Sequence, residues 1–213
     1  MTDLNNRRPI ASRGARPIKA LARRLAQSDI TANQISQASI GFAVFAGLMF
    51  WLSGGTHWFV LILAALGIQG RLMCNLLDGM VAVEGGKAEA DGPFWNEAPD
   101  RYADIAILVG LGYGVAAPGL GWAAACAAVL VAYTRELGAA QGLLPDFCGP
   151  CAKQHRMALL TGAALVAVFL PHIMGIATLE IALWAVALGS FATALRRSER
   201  LIGDLKDPPD RGQ

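Results

Sequence analysis

Residues 105–134 read IAILVGLGYGVAAPGLGWAAACAAVLVAYT and include no Asp, Glu, Lys or Arg. The ranges 30–70 and 157–179 are equally free of these charged side chains. Only 16% of the 213 residues are charged, whereas soluble domains carry about a quarter. Because about 20 apolar residues are needed to cross a bilayer, runs of this length are typical of transmembrane helices. The sequence therefore predicts an all-α integral membrane protein rather than a soluble domain.

Turns and charged residues divide these runs into six predicted transmembrane helices. They are placed near residues 33–53, 57–77, 98–117, 119–141, 156–172 and 176–196. The turns at 53–55, 117–119 and 171–175 contain no Lys or Arg, whereas the connections on the other side are basic. Because basic loops stay in the cytosol, both termini are expected there, in a bacterial-type inner (cytoplasmic) membrane with the site facing the cytosol.

The first 30 residues are predicted to form a basic N-terminal arm. Ile18, Leu21, Ala22 and Leu25 recur at helical spacing among seven Lys and Arg residues. Such an amphipathic helix is suited to lying on an anionic membrane surface; a solvated arm is the alternative. Because no apolar segment follows the basic start directly, a cleavable signal peptide is not expected.

A single domain follows this arm. Thr31 is the predicted N-cap of the first transmembrane helix, and residues 31–200 form the predicted six-helix transmembrane domain. Residues 201–213 are expected to be a polar C-terminal tail, because the last residues of a chain are seldom held in place.

A polar cluster lies at the predicted cytosolic ends of the second and third transmembrane helices. Asn75-Leu-Leu-Asp78-Gly79-Met-Val-Ala82 is followed by Asn96-Glu-Ala-Pro-Asp100-Arg-Tyr-Ala-Asp104. Spacings of three and four residues place each polar pair on one helix face. Three carboxylates and an amide suit a hard cation such as Mg²⁺, Mn²⁺ or Ca²⁺. Helix caps and solvated loop charges are the alternative for any single Asp, but carboxylates at membrane depth favour a functional site.

These stretches resemble the CDP-alcohol phosphotransferase family, whose motif is D-x2-D-G-x2-A-R followed by G-x3-D-x3-D. The chain matches this motif at Asp78, Gly79, Ala82, Asp100 and Asp104. Thr31-Ala-Asn33 is similar to the family's Thr-Pro-Asn before the first helix. The resemblance extends over nearly the whole chain and implies a six-helix membrane core, commonly dimeric, with the motif on the second and third helices.

Three positions depart from the family motif. Asn75 replaces the first Asp, Val83 the Arg and Asn96 the second Gly. The gap between residues 83 and 96 is also longer, and Lys87 within it is predicted to replace the missing Arg against the donor's phosphate. These departures leave open a changed donor, a single strongly bound metal ion or lost activity.

The resemblance implies a metal-dependent transferase of phospholipid biosynthesis. It would transfer a phosphoalcohol group, such as phosphatidyl from CDP-diacylglycerol, to a hydroxyl acceptor and release CMP. Asp104 would be the catalytic base that accepts the hydroxyl proton. One or two Mg²⁺ or Mn²⁺ ions would be held by Asn75, Asp78, Asp100 and Asp104. The donor-binding residues would be Asn75, Gly79, Ala82, Lys87 and Asn96, with Gly79 allowing close approach of a phosphate or nucleotide.

Basic residues on the same predicted membrane side indicate an acceptor site. Arg135, Lys153, His155 and Arg156 are the predicted acceptor-binding residues for an anionic acceptor such as a phosphorylated polyol. Membrane topology alone also explains positive charge there. Membrane lipids and a second copy of the chain are the other expected partners, since small residues at 123–128 permit close helix packing; nucleic acid is not expected.

Two alternatives to the enzyme remain. The first is a catalytically impaired homologue that binds a CDP-lipid, motivated by the motif departures at Asn75, Val83 and Asn96. The second is a small cation transporter, which the charge-free outer halves of the second and third helices disfavour. Cys148-Gly-Pro-Cys151 is similar to a thioredoxin-type redox motif, but that motif needs a βαβ setting that this sequence lacks; a turn is predicted there.

Overall fold

The structure, a computed structural model, describes residues 16–55, 57–87 and 89–207. The elements in chain order are α1 (Arg16–Ala26), α2 (Ala32–Leu52), a 3-10 turn (Ser53–Gly55), α3 (Trp58–Glu84), α4 (Gly92–Gly114), α5 (Pro118–Ala140), α6 (Lys153–Phe169), β1 (His172–Ile173), β2 (Ile176–Ala177) and α7 (Thr178–Lys206). Residues 1–15 of the predicted arm and 208–213 of the predicted tail lie outside the described residues.

Four of the described helices, α2, α3, α5 and α7, are long and apolar enough to cross a membrane. The prediction of an all-helical, multi-pass membrane protein is confirmed at this level. α6 has only 17 residues, and α4 contains Glu97, Asp100, Arg101 and Asp104, so neither meets the same criterion. The count of six spans and the cytosolic location of the termini stay predictions.

The helices extend further than the apolar runs indicate. α3 continues to Glu84 rather than ending near residue 77, and α4 begins at Gly92 rather than near 98. α7 likewise continues to Lys206, so the predicted polar tail starts as helix. A prediction from hydropathy ends a helix where polar residues become frequent. The backbone itself can stay helical beyond that point when the polar side chains find partners. The whole Asn75–Ala82 stretch is therefore helical.

The beginnings of α2 and α4 are connected by hydrogen bonds. Thr31 is the N-cap of α2, as predicted, and forms a capping box with Gln34. Asn33 Nδ2 donates to Asp91 Oδ1 at 2.8 Å, and Trp95 Nε1 donates to Asp91 Oδ2 at 2.9 Å. Asp91 immediately precedes α4, so these bonds fix the position of α4 relative to α2.

α2 and α4 also touch through their backbones. A Cβ atom added to Gly110 would lie 2.1 Å from the carbonyl oxygen of Gly47. A Cβ added to Gly47 would lie 2.2 Å from the carbonyl oxygen of Ala106. Small residues allow this kind of close approach between membrane helices. α4 is thereby held against α2, which also packs extensively against α3.

α1 is the amphipathic helix predicted in the N-terminal arm. Its buried Ala22 packs with Ile18 and Leu25 against the end of α3, where Ala82 lies. Leu21, predicted on the same apolar face, is 42% exposed. The helix therefore covers the end of α3, and its contact with a membrane surface stays a prediction.

Candidate functional site

Two helices bring the polar cluster together. Arg71, Asn75 and Asp78 follow one another on α3 at spacings of four and three residues, so they share one face. Asp100 and Asp104 lie one turn apart on α4. The two faces meet, because Asn75 Nδ2 donates to Asp100 Oδ1 at 2.6 Å.

Asp100 is the centre of the cluster and is only 6% exposed. Its Oδ1 accepts a second hydrogen bond from Arg71 Nη2 at 3.0 Å. Its Oδ2 forms an ion pair with Lys153 Nζ, and Arg101 Nη2 lies 3.7 Å from the same oxygen. Three cationic side chains therefore compensate the charge of this buried carboxylate, as burial requires.

Asp104 lies one turn further along α4 and is fully buried. Its Oδ2 accepts from Arg156 Nη2, while Arg156 Nη1 donates to Cys151 O at 2.8 Å. Within the described part of the chain, Asp104 Oδ1 has no hydrogen-bond partner; Arg71 Nη2 lies 4.0 Å away. Asp104 thus keeps one carboxylate oxygen unused.

Asp78 is held by groups from two helices. Ser36 Oγ on α2 donates to Asp78 Oδ2 at 2.6 Å. The backbone N–H of Gly79 donates to Asp78 Oδ1 at 2.6 Å. Asp78 is 7% exposed and lies beside the cavity rather than in a solvated loop. Its side chain therefore has a fixed orientation set by α2.

A cavity of about 480 Å³ opens beside this cluster. Of the predicted site residues, Asn75, Asp78, Asn96, Asp100, Arg135, Lys153 and Arg156 line it. Arg101, Glu97 and Arg197 lie in the same wall. The cavity is thus lined by acidic and amide groups of α3 and α4 together with basic groups of α4, α5, α6 and α7, and these basic groups suit a ligand carrying phosphate.

Several predicted site residues are not among the described residues that line the cavity: Gly79, Ala82, Lys87, Asp104 and His155. Ala82 packs instead against an apolar cluster formed by residues of α1, α2 and α3, and His155 is exposed on α6. A Cβ at Gly79 would meet nothing within 4 Å, so the structure gives no steric reason for glycine there. The donor contacts predicted for Gly79 and Ala82 and the acceptor contact predicted for His155 stay predictions.

Lys87 lies away from the cavity that Asn75, Asp78 and Asp100 line. Lys87 Nζ donates to the backbone carbonyls of Ser28 and Ile30, which connect α1 to α2. It lines a separate depression with Asp29 and Glu89. Because its ammonium group already has these acceptors, this arrangement gives no support to the predicted replacement of the motif's missing Arg by Lys87, which stays a prediction.

Replacing Lys87 with Gln is accordingly expected to lower thermal stability slightly without changing transferase activity. Each lost hydrogen bond to a carbonyl contributes about 0.5–1.5 kcal/mol, and the cavity wall is untouched. CMP release and the unfolding midpoint in detergent measure the two effects, with Lys153→Gln as the matched variant at the cavity. A larger loss of CMP release in Lys87→Gln than in Lys153→Gln would restore the original prediction.

Arg71 is the main site residue that sequence reasoning missed. It is fully buried on α3, whereas the sequence pattern indicates only that its positive charge lies on the cytosolic side of the membrane. The available signal was its position four residues before Asn75, at the end of the charge-free range 30–70. A lone Arg inside an apolar helix is costly without a partner, and this one pairs with Asp100.

Sequence reasoning also missed Arg197. This residue of α7 connects its helix to α5 and to the loop between α5 and α6. Its Nε donates to Cys148 O at 2.9 Å, and its Nη1 donates to Val131 O at 2.9 Å. It thereby holds the loop between α5 and α6 against α5. The backbone of this loop leads directly to Lys153, so Arg197 helps to position the basic wall of the cavity.

The Cys148–Cys151 loop acts as a connection, as the sequence predicted. Both cysteines are free thiols. Burial, followed by the hydrogen bond to Asp146, raises the pKa of the Cys148 thiol above its usual value. Because the thiolate is the reactive form, this environment disfavours redox chemistry. The backbone N–H of Cys151 is instead bonded to Thr193 Oγ1 at 3.1 Å.

The cluster contains residue types that bind divalent cations. Among the described residues, no group of three or more His, Cys, Asp or Glu side chains is arranged to hold a metal ion. Buried oxygen ligands are nevertheless present, and Asp104 Oδ1 is unused. Lys153 is the most exposed of the cations on Asp100, so its departure would free Asp100 Oδ2. Carboxylate and amide oxygens of this kind are the ligands that hard cations prefer, so the residue types present suit such an ion.

Comparison with known sequences identifies two relatives. The chain is 27% identical to phosphatidylinositol phosphate synthase of Mycolicibacterium smegmatis over 191 residues, 86% of this chain and 81% of that protein. It is 34% identical to the inner membrane protein YnbA of Escherichia coli over 80 residues. The second match covers 38% of this chain and only 39% of that relative. No protein-family model matches the chain.

Solved structures of one enzyme share the fold. Mycobacterium tuberculosis phosphatidylinositol phosphate synthase with CDP-DAG bound matches with a TM-score of 0.75 at 20% identity, over 93% of this chain and 98% of that chain. The same enzyme in complex with manganese and citrate matches with a TM-score of 0.74 at 19% identity, over 92% of each chain. The resemblance inferred from the sequence motif is confirmed by these relatives.

Proposed function

We propose that this chain, which is homologous to phosphatidylinositol phosphate synthase, a CDP-alcohol phosphotransferase, transfers a phosphatidyl group from a CDP-linked lipid to a hydroxyl acceptor. The observation that carries this proposal is the convergence of Asn75, Asp78 and Asp100 on one cavity that also has a basic wall. A nucleotide diphosphate and a divalent cation are the ligands such a pairing of charges suits.

The proposed donor is CDP-diacylglycerol. The M. tuberculosis neighbour of the same fold binds CDP-DAG, and the cavity here lies beside α3, which is long and apolar enough to cross a membrane. A donor with acyl chains in the bilayer would present its diphosphate at this depth. Asn75 and Asn96, which line the cavity, are the proposed donor contacts retained from the sequence.

In the proposed reaction, the acceptor hydroxyl oxygen attacks the donor's β-phosphorus. The new O–P bond forms as the bond from that phosphorus to the CMP phosphate oxygen breaks, and CMP leaves. Asp104 is proposed to accept the hydroxyl proton on Oδ1, the carboxylate oxygen without a hydrogen bond in the described structure. Because Asp104 is fully buried behind the cavity-lining Asp100, this role requires the cavity to open toward it when the substrates bind. A divalent cation, when bound, would neutralise the diphosphate and stabilise the leaving phosphate. Asp100 and Asp78 are the proposed ligands, with the Asn75 amide oxygen.

The proposed acceptor is an anionic alcohol such as a phosphorylated polyol. Arg135, Lys153 and Arg156 lie in the cavity wall, and guanidinium groups bind phosphate oxygens in pairs. Glu97 now forms an ion pair with Arg135, so an anionic acceptor would displace its carboxylate. His155 has no part in this proposal, because its side chain is exposed away from the cavity lining.

The proposed setting is a cytoplasmic membrane, with the cavity open to the cytosol and the protein as a homodimer. The basic residues at the cavity end of the helices support this orientation. The apolar faces of α2 and α5 supply the surface for lipids or a second copy of the chain.

The decisive assay supplies purified protein with CDP-diacylglycerol, Mg²⁺ or Mn²⁺ and a panel of polyols and polyol phosphates. We expect CMP release that needs the cation, stops with EDTA and is faster with a phosphorylated acceptor. Binding of the CDP-lipid without CMP release for any acceptor would favour the impaired homologue. Restoring Asn75→Asp would then be the test of whether activity was lost at that position.

A further inference from the structure

We infer that Arg71 takes the place of a second divalent cation in the Asp cluster, so that each chain binds a single metal ion. This inference rests on the proposed function for the identity of the site. It follows from the position of one buried guanidinium group and from the charges around it.

The guanidinium group of Arg71 lies close to both Asp100 and Asp104, carboxylates that would be needed to hold a second cation. Its Nη2 is 3.0 Å from Asp100 Oδ1 and 4.0 Å from Asp104 Oδ1. The side chain is fully buried and starts from α3, one turn before Asn75. A guanidinium group is charged at any physiological pH, so this positive charge is permanent.

The negative charges of the cluster are already compensated by the protein. Asp78, Asp100 and Asp104 contribute three negative charges, whereas Arg71, Arg101, Arg156 and Lys153 bring four positive charges to Asp100 and Asp104. A buried, unbalanced charge is strongly unfavourable. Two further divalent cations would leave a large positive excess, even after Lys153 moves away.

The identity of residue 75 fits this charge balance. Compared with a site that has Asp at 75 and a neutral residue at 71, the pair Arg71 and Asn75 adds two positive charges. Two positive charges are the charge of one divalent cation. The amide of Asn75 and the guanidinium of Arg71 also donate to the same oxygen of Asp100, so the two residues act together.

Arg71 has hydrogen-bond donors without an acceptor, and its positive charge opposes a second cation beside it. Its Nε and Nη1 are buried and find no hydrogen-bond partner in the part of the chain that the structure describes. The guanidinium charge is therefore only partly compensated by the protein. A divalent cation on the same two carboxylates would face this charge directly, whereas an anionic phosphate would be attracted by it.

The test is the number of Mn²⁺ ions bound by the purified protein, measured by equilibrium dialysis and electron paramagnetic resonance. Wild type is expected to bind one ion per chain with an uncoupled Mn²⁺ spectrum. The double variant Arg71→Leu/Asn75→Asp is expected to bind two ions and to show spin coupling, because paired metals lie about 3.5–4 Å apart.

Arg200→Gln is the matched control. Arg200 pairs with Asp146 at 3.8 Å and is largely exposed, so its loss removes one positive charge outside the cluster and should leave one bound ion. Two bound ions, or none, in wild type would overturn the inference even if the double variant does not fold. A double variant that folds and still binds one ion would overturn it as well.

The stoichiometry separates this inference from the proposed function. One bound ion without CMP release would leave the inference standing and contradict the transferase. Cation-dependent CMP release with two bound ions would support the transferase and contradict the role given to Arg71.

Discussion

Replacing Asp104 with Asn is expected to lower the rate of CMP release by about 10²–10⁴-fold, the usual contribution of a general base. Asn cannot accept a proton at the position of Oδ1, which is the unused oxygen of Asp104 in the described structure. The rate is measured with saturating CDP-diacylglycerol and the best acceptor. Asp204→Asn, an exposed carboxylate near the end of α7, is the control and should behave as wild type.

The ion pair with Arg156 makes a second comparison necessary. Asp104 also compensates the buried charge of Arg156, and removing one partner of a buried pair costs about 3–5 kcal/mol. Asp104→Asn is therefore also introduced into an Arg156→Gln background. A proton-accepting Asp104 gives a similar further loss of rate in that background. No further loss would mean that Asp104 serves only as the partner of Arg156.

Local sequence rules predicted the framework of the candidate site. Apolar runs predicted the helices, and spacings of three and four residues predicted that Asn75 and Asp78 share one face of α3. The capping preference of Thr31 predicted the start of α2. These features depend on residues close together in the chain, so a single sequence contains the information needed to infer them.

The partners of the carboxylates depend on contacts between distant segments and were not predictable in the same way. Arg71 counted only as a basic residue at a helix end, because nothing local indicates that it meets Asp100, 29 residues later. Lys87 was assigned to the donor by its position in the motif gap. Its carbonyl acceptors at Ser28 and Ile30 are 59 and 57 residues away, and only the packing of α1 brings them near.

The second large expected effect is a loss of stability when the close packing of α4 against α2 is disturbed. Gly110→Ala is expected to lower the unfolding midpoint in detergent and to reduce CMP release. The added Cβ would lie 2.1 Å from the carbonyl oxygen of Gly47, and a backbone atom cannot rotate away from it. α4 must then move relative to α2, and overpacking of this kind costs about 1–3 kcal/mol or more.

Gly162→Ala is the matched control for this clash, because a Cβ at Gly162 in α6 would meet nothing within 4 Å. Replacing a helical Gly by Ala at an open position gains up to about 1 kcal/mol, so this variant should be as stable as wild type or slightly more so. The activity loss in Gly110→Ala follows from the geometry, since α4 holds Asp100 against Asn75 of α3 at 2.6 Å. Equal midpoints for the two variants would contradict the close contact of α2 and α4. A lower midpoint with full CMP release would mean that the site tolerates movement of α4.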